Sequence, residues 1–467
     1  MTHYEPQWES SRQHRTPDWF RDAKFGIFIH WGVYSVPAMF DEWYPRRMYQ
    51  EGSAIWDHHR ETYGENFGYK DFIPLFTGEH FNPMEWVQLF SASGAQYVVP
   101  VAEHHDGFAL YDSSRTRWKS TTMGPRRDVI GELASAVRGA GLVFGLSSHR
   151  AEHWWFMNGG MAYDSDVCDP AYADFYGPAM SSPEAGTPEW DRPDWQPRPD
   201  APFLEDWLMR TTELIDRYQP QLIYFDWWIH QLAFKPYLRR LAAHYFNRAE
   251  EWQRGVLVTD KLGAFAPGVA VLDVERGQLA EIRSEPWQTC TSVSRNSWGY
   301  ISHHVYKEPV EIICDLIDIV SKNGCLLLNV GPKPDGTIPA EEQEILREIG
   351  QWLSLNGEAI YGTRPWKQFG EGPTLKPRGA FTDREATLFT NADWRFTTNG
   401  NVVYAICLGE PGSVAHIHAL HDEHIAAIHL LGVDAPLNWT QDADGVHIQV
   451  PVDKPGKFAW TFEIALK

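Results

Sequence analysis

Lys24–Gly32 reads KFGIFIHWG, a run of Phe and Ile hardly interrupted before it breaks off at His30, Trp31 and Gly32. Apolar residues on both alternating faces are what a strand needs when it is covered on both sides of a parallel sheet. The same texture recurs in Tyr97–His104 (YVVPVAEH), Leu142–Ser148 (LVFGLSS), Leu222–Trp227 (LIYFDW), Gly255–Asp260 (GVLVTD), Val271–Glu275 (VLDVE), Trp287–Val293 (WQTCTSV) and Gly324–Gly331 (GCLLLNVG), making eight candidate strands. Helical patterns lie between them. The clearest has Asn82 as N-cap, Pro83 at the first helical position and Glu85 three residues after the cap, and it stops at Gly94. Asp128–Ala140, Phe203–Tyr218, Lys235–Asn247 and Pro309–Lys322 follow the same rule more loosely. Strand and helix alternating eight times predict an α/β fold, a (β/α)8 TIM-like barrel in preference to an open doubly wound sheet.

The barrel pattern ends with an amphipathic helix bearing Ile345, Ile349, Trp352 and Leu353 on one face and stopping near Asn356–Gly357. We therefore assign 1–365 to a catalytic barrel domain. Beyond it, short alternating strands (NVVYAICL, HIAAIHLL, VHIQVPV, KFAWTFEI) separated by Gly, Asp and Pro predict a C-terminal β-sandwich domain over 366–467, read as a brace on the barrel's flank. The connection His149–Ala201, with seven Pro and several Trp and Tyr, is too long for a plain loop and predicts a packed lid over the barrel mouth.

Composition narrows the function. The 467 residues carry 41 basic and 62 acidic side chains, a net charge of −21, so the attraction that drives binding to nucleic acid or anionic lipid has no source. Trp is abundant at 22 copies; Trp118, Trp190 and Trp195 sit in polar stretches where an indole could stack on a sugar or staple a loop. Cys168, Cys290, Cys314, Cys325 and Cys407 lack metal-ligand spacing and read as reduced thiols. The first twenty residues have no apolar core of a signal peptide, which points to the cytoplasm, and no run of about 18 apolar residues crosses a membrane.

A barrel gathers its chemistry at the C-terminal ends of its strands. Those ends carry His30, Glu103 to Asp106, His149, Asp226, Asp260 with Lys261, and Glu275 with Arg276. Asp226 is the sharpest, a single carboxylate after four apolar residues and before two indoles. It reads as a nucleophile held at the rim, or as a capping Asp. Glu275 ends VLDVE beside Arg276 and reads as a second functional carboxyl or as half of a structural pair. Two carboxyls on separate strand ends fit glycoside hydrolysis, where about 5–5.5 Å between them allows one to attack and the other to move the proton. Adjacent His104 and His105 without a third ligand at fixed spacing are a weak zinc signal, while neutral imidazoles suit sugar hydroxyls. No phosphate-loop, dinucleotide, serine-hydrolase or zincin motif occurs.

Over most of 15–365 the chain resembles the α-L-fucosidases of glycoside hydrolase family 29. The match rests on Trp19–Pro37 (WFRDAKFGIFIHWGVYSVP), Glu42–Tyr49 (EWYPRRMY), Phe81–Trp86, Tyr97–Ser113 (YVVPVAEHHDGFALYDS), the strand with Asp226, Pro286–Tyr300 (PWQTCTSVSRNSWGY) and Leu326–Pro339 (LLLNVGPKPDGTIP). The resemblance implies a retaining exo-hydrolase that removes terminal α-L-fucose from glycans or glycosides without metal or other cofactor. Asp226 would be its nucleophile, and His30, Glu42, Trp43, His104 and His105 would hold the sugar. Tyr224 stands where the family often has Trp, His149 falls in a stretch where it commonly has Tyr-Tyr-Ser, and Lys261 replaces an expected Arg; all three are assigned to the substrate. The C5 methyl of fucose calls for an apolar wall, for which Phe28, Trp227 and Trp228 are candidates. The acid/base is assigned to Glu275, with Glu285 as runner-up, because Gln288 stands where many members have Glu. Glu275 is expected to be kept neutral by burial and by the nearby Asp226. Gln288 keeps open a non-catalytic fucose- or glycan-binding protein on the same scaffold, and α-L-galactosides are an alternative substrate. The expected partner is a fucosylated glycoside, with neither nucleic acid nor membrane; a homo-oligomer is left open.

Overall fold

The computed structural model describes residues 2–184 and 186–467. Its first part is a closed barrel of eight parallel strands in sequential order. These are β1 (Phe25–Ile29), β2 (Tyr97–Glu103), β3 (Val143–Ser148), β4 (Leu222–Phe225), β5 (Leu257–Asp260), β6 (Val271–Glu275), β7 (Trp287–Ser292) and β8 (Gly324–Val330). Closure is made by β1 against β8, with Phe25 opposite Leu326. The doubly apolar texture has its physical reason here: Phe28, Val99, Leu222, Leu257, Val271 and Leu327 fill the barrel, while Phe25, Ile27, Val98 and Leu326 face the surrounding helices. Side-chain caps set the helix starts, Asn82 accepting from the Met84 amide and Asp128 from the Gly131 amide.

Helices cover the barrel unevenly. Among the described residues none stands between β5 and β6 or between β6 and β7, contrary to a strict alternation. The intervening sequences carry Gly263, Pro267 and Gly268, then Gly277 and Pro286, which deny a helix its interior positions.

The β5–β6 side of that flank is covered by Trp8 against Phe265, and the β6–β7 side from the C-terminal part. There β9 (Arg364–Glu371), β10 (Trp394–Asn399), β11 (Val402–Cys407), β13 (Ile425–Leu430) and β16 (Trp460–Leu466) form one antiparallel sheet, and β12 (Val414–Ile417), β14 (Trp439–Asp442) and β15 (Gly445–Gln449) form another. Phe396, Ala405, Ile417, Ile428, Ile448 and Ile464 make the core the two sheets share. Trp352 donates to the Ala459 carbonyl at 2.9 Å, and Asp318 is shared by Arg395 and Lys322, fixing the sandwich to the last two barrel helices, Pro309–Ser321 and Ala340–Asn356. Between β9 and β10 the chain leaves the sandwich and runs back over the barrel rim.

The long connection after β3 is built of short 3-10 turns and one helical turn, Ala173–Tyr176. Its aromatic residues are interior staples. Trp190 and Trp195 are buried with Trp155 around Trp228, the rings of Trp195 and Trp228 being 4.0 Å apart, and Trp118 stacks on Phe175; none of these three loop indoles faces the cleft.

Candidate active site

At the C-terminal mouth a cleft of about 230 Å3 is lined by Phe28, His30, Glu42, Trp43, His104, His105, His149, Glu152, Tyr224, Asp226, Trp227, Glu275, Trp298 and Phe381. The residues come from separate strand ends because successive strands point their last side chains at the same axis. Between β4 and β5 the ladder has only Leu222↔Leu257 and Ile223↔Val258, so the strands part below the rim. The ammonium of Lys261, which follows β5, stands between the two carboxyls beyond them.

Lys261 Nζ lies 3.0 Å from Asp226 Oδ1, 2.6 Å from Glu275 Oε2 and 3.8 Å from Asp273 Oδ2. Three carboxyls around three N–H donors suit a point charge, and a planar guanidinium would need a different arrangement. The two shorter contacts, 2.6 and 3.0 Å, together cap the separation of those Asp226 and Glu275 oxygens at 5.6 Å. Burial disfavours the ionised form of Asp226, but Lys261 and then His149 outweigh it and hold the carboxyl well below its usual range. Trp227 Nε1 also donates to Glu275 Oε2, at 3.1 Å.

Below this layer the barrel interior holds a polar column. Tyr97 donates to Gln288 Oε1 at 3.1 Å, Gln288 donates to Asp273 Oδ1 at 2.8 Å, and Tyr224 reaches Asp273 Oδ2 at 3.4 Å. Burial pushes the Asp273 pKa up despite Lys261. Gln288 is thus a fully buried amide tying β7 to β6 and does not line the cleft, so its lack of a titratable proton says nothing against catalysis there. Gln288→Glu is expected to set a second carboxyl against Asp273 and lower stability by about 3 kcal/mol. A thermal melt several degrees below that of the parent checks it; an unchanged melt would mean that the amide does not bear on Asp273.

The imidazoles form one wall. His30 Nδ1 pairs with Asn329 Oδ1 at 2.7 Å, while the Asn329 amide donates to Trp298 O and Ser292 Oγ, so Nδ1 is the protonated nitrogen and Nε2 is left as an acceptor. His105 Nδ1 donates to the His149 carbonyl at 2.9 Å. Burial and neighbouring imidazoles push His30 and His104 well down, and burial brings His105 to about 3 despite Asp226, so these rings stay neutral. His149 Nδ1 stands 3.2 Å from Asp226 Oδ2. Buried His104 Nδ1 has no hydrogen-bond partner among the described residues and is available to a ligand. Ring nitrogens of His30, His104 and His149 lie within 4.8 Å of one another, as do donor atoms of His105, His149 and Asp226, spacings a metal ion could use; a row of sugar hydroxyls fits them equally. Opposite, Glu42 accepts from the Trp298 amide at 2.9 Å, and burial, aided by Asp41, raises its pKa to about 7.

Of the sequence-derived candidates, His30, Glu42, Trp43, His104, His105, His149, Tyr224, Asp226, Trp227 and Glu275 line the cleft, and Lys261 bridges the two carboxyls. Trp228 does not: its backbone turns through φ 70°, and the indole points into the tryptophan cluster of the lid, 1 % exposed. Glu285 is exposed and precedes β7, at the opposite end of the barrel from the cleft. Asp260 turns aside to accept from the Phe265 amide, and Arg276 packs over Trp298 and faces Asp383. Three lining residues were not expected. Trp298 lies in a quoted family segment, Glu152 sits in the first turn of the lid, and Phe381 comes from beyond the barrel. Glu152 is 2 % exposed with Oε2 unpartnered; burial, then the charges of Asp226 and Glu275, drive its pKa far up, so it is a neutral acid.

A family model described as alpha-L-fucosidase matches 1–358, and one described as the alpha-L-fucosidase C-terminal domain matches 389–465. The chain is 33% identical to tissue alpha-L-fucosidase of Rattus norvegicus over 99% of its length and 92% of the relative's, and 32% identical to that of Homo sapiens over 99% and 91%. Among solved structures, the alpha-fucosidase of Thermotoga maritima in complex with fucose superposes with a TM-score of 0.79 at 30% identity, covering 99% of this chain and 100% of that one.

Proposed function

The chain belongs to the α-L-fucosidases of glycoside hydrolase family 29 and is a glycosidase, and from that premise we propose that it releases terminal α-L-fucose by double displacement with retention, using Asp226 as nucleophile and Glu275 as acid/base. The observation that carries the proposal is the shared ammonium of Lys261, which keeps the two carboxyl oxygens within 5.6 Å, the sum of its 3.0 and 2.6 Å contacts. A separation of those oxygens no greater than this admits the about 5–5.5 Å of retaining glycosidases and is short of the about 6.5–9.5 Å that an inverting enzyme needs to seat a water.

In this reading the substrate enters with its hydroxyls on the imidazole wall and its C5 methyl toward Phe28. Asp226, kept ionised, attacks C1 from the face opposite the leaving oxygen, and Glu275 gives that oxygen a proton. The free site holds the Glu275 carboxyl against Lys261, and the entering sugar displaces part of that contact. Once Asp226 is an ester its charge is gone, and Lys261 then favours the ionised Glu275 that draws a proton from the incoming water. The neutral Glu152 adds a donor without adding a charge.

Release of the phenol from an aryl α-L-fucoside, unaffected by chelator, is the expected result of the direct test; binding without turnover would favour the glycan-binding alternative, and loss in chelator a metal-dependent one. Lys261 itself gives a pH prediction. An adjacent cation lowers a carboxyl pKa by about 1–3 units, so Lys261→Met should raise that of Asp226. Because only ionised Asp226 attacks, the acidic limb of kcat/KM should move to higher pH by about one unit or more. A limb that stays in place in the variant's pH profile would contradict the pairing.

A further inference from the structure

The loop between β9 and β10, residues 372–393, is bound to the barrel rim more firmly than a surface excursion requires. Gly379 and Gln278 exchange amide bonds of 2.8 and 3.2 Å, the Phe381 amide donates to the Glu275 carbonyl at 2.9 Å, and the Thr382 amide to the Arg276 carbonyl at 2.8 Å. At Gly277 a Cβ would stand 1.7 Å from the Gly379 carbonyl oxygen, so the approach is possible only without a side chain. Asp383 is locked beside it by Lys307 Nζ at 2.5 Å and Thr291 Oγ1 at 2.5 Å, and Lys376 pairs with Asp315. All this anchorage delivers one side chain to the cleft. Phe381 adopts φ 57°, unfavourable for a bulky aromatic, and its ring is 43% exposed at the mouth. A strained backbone that leaves over two-fifths of a large aromatic residue exposed at the mouth of the cleft points to a ligand.

Position identifies the ligand. The Phe381 and Trp227 rings lie 6.3 Å apart at 47° and flank Glu275, one through its backbone bond and the other through its indole N–H. The imidazole wall occupies a different part of the cleft. Any group joined to the oxygen that Glu275 protonates must leave past these two rings.

We propose that Phe381 and Trp227 form the subsite for the leaving group, and that its ligand is a pyranose ring presenting a C–H face to the phenyl ring. The inference rests on the assignment of Glu275 as acid/base. It makes the C-terminal part a contributor to substrate choice as well as a brace, since the loop carrying Phe381 is strung between two strands of the sandwich.

The test compares α-L-fucosyl fluoride, which has no ring on its leaving side, with the fucosyl disaccharide that the enzyme cleaves fastest from a panel of linkages. Phe381→Ala should lower kcat/KM on the disaccharide on the order of tenfold more than on the fluoride, mainly through KM. Phe381→Trp, which restores a ring, should recover the disaccharide. Equal changes on both substrates, or a loss confined to aryl fucosides, would overturn the subsite. A parent enzyme that releases fucose from neither substrate would instead overturn the functional reading beneath it, and full turnover of the fluoride by Glu275→Ala with an undiminished disaccharide rate would remove the acid/base on which the subsite depends.

Discussion

Asp226→Gly is expected to lower kcat on aryl α-L-fucosides by about four orders of magnitude or more, the loss typical when a nucleophile is removed. Asp226 is the carboxylate that Lys261 and His149 jointly keep ionised, with Oδ1 on the ammonium and Oδ2 3.2 Å from the His149 imidazole. A carboxylate so held is a poor acid and is pre-oriented to attack, and truncation leaves an aglycone-activating site with nothing to displace it. Added azide fits the space of the lost carboxyl and is expected to restore part of the rate, giving the β-linked fucosyl azide, because it attacks from the face that Asp226 used. Product analysis by NMR decides: the α-linked azide, or near-normal turnover without azide, would move the nucleophile elsewhere.

The second large effect is at Glu275, and it should depend on the substrate. Without a proton donor a natural glycoside has an alkoxide to expel, so Glu275→Ala should cost roughly 10²–10⁴-fold in kcat/KM, the usual share of general acid catalysis. A fluoride or dinitrophenolate leaves without help, and its loss in the first step should be much smaller. Deglycosylation then becomes limiting for the good leaving group, which a pre-steady-state burst would display. Equal losses across leaving groups would deny Glu275 the acid role, and Glu285 cannot take it up from the far end of the barrel.

The barrel was legible because its strands are apolar on both faces, a pattern that also fixes where each one stops and hence which polar residues share the rim. Asp226 and Glu275 could be read for that reason: each is a charge placed directly after a buried run. The missing helices after β5 and β6 were signalled only by Gly and Pro, which mark a break without saying what covers it. Trp228 follows Trp227 directly, yet one residue with φ 70° sends it into the lid while its neighbour faces the cleft, a choice that side-chain type does not encode. Gln288 looked like a lost acid because a position in a motif does not reveal whether its side chain points into the barrel or above it. Glu152 was hidden in a lid that has no periodicity to anchor it. Phe381 lies over a hundred residues from Glu275, and its strand-like pairing with 275–278 is visible only in three dimensions. The quoted family segments fall mainly on the barrel, so the residue that the C-terminal part contributes carried no signal of its own.

The central claim is that Asp226 becomes covalently bonded to the sugar. Incubation with 2-fluoro-fucosyl fluoride, whose fluorine at C2 slows hydrolysis of the intermediate, followed by proteolysis and mass spectrometry, examines that bond directly. The account predicts a single labelled peptide, with the 2-fluoro-fucosyl group on Asp226; a label on another carboxylate, or inactivation with no covalent label, would contradict it.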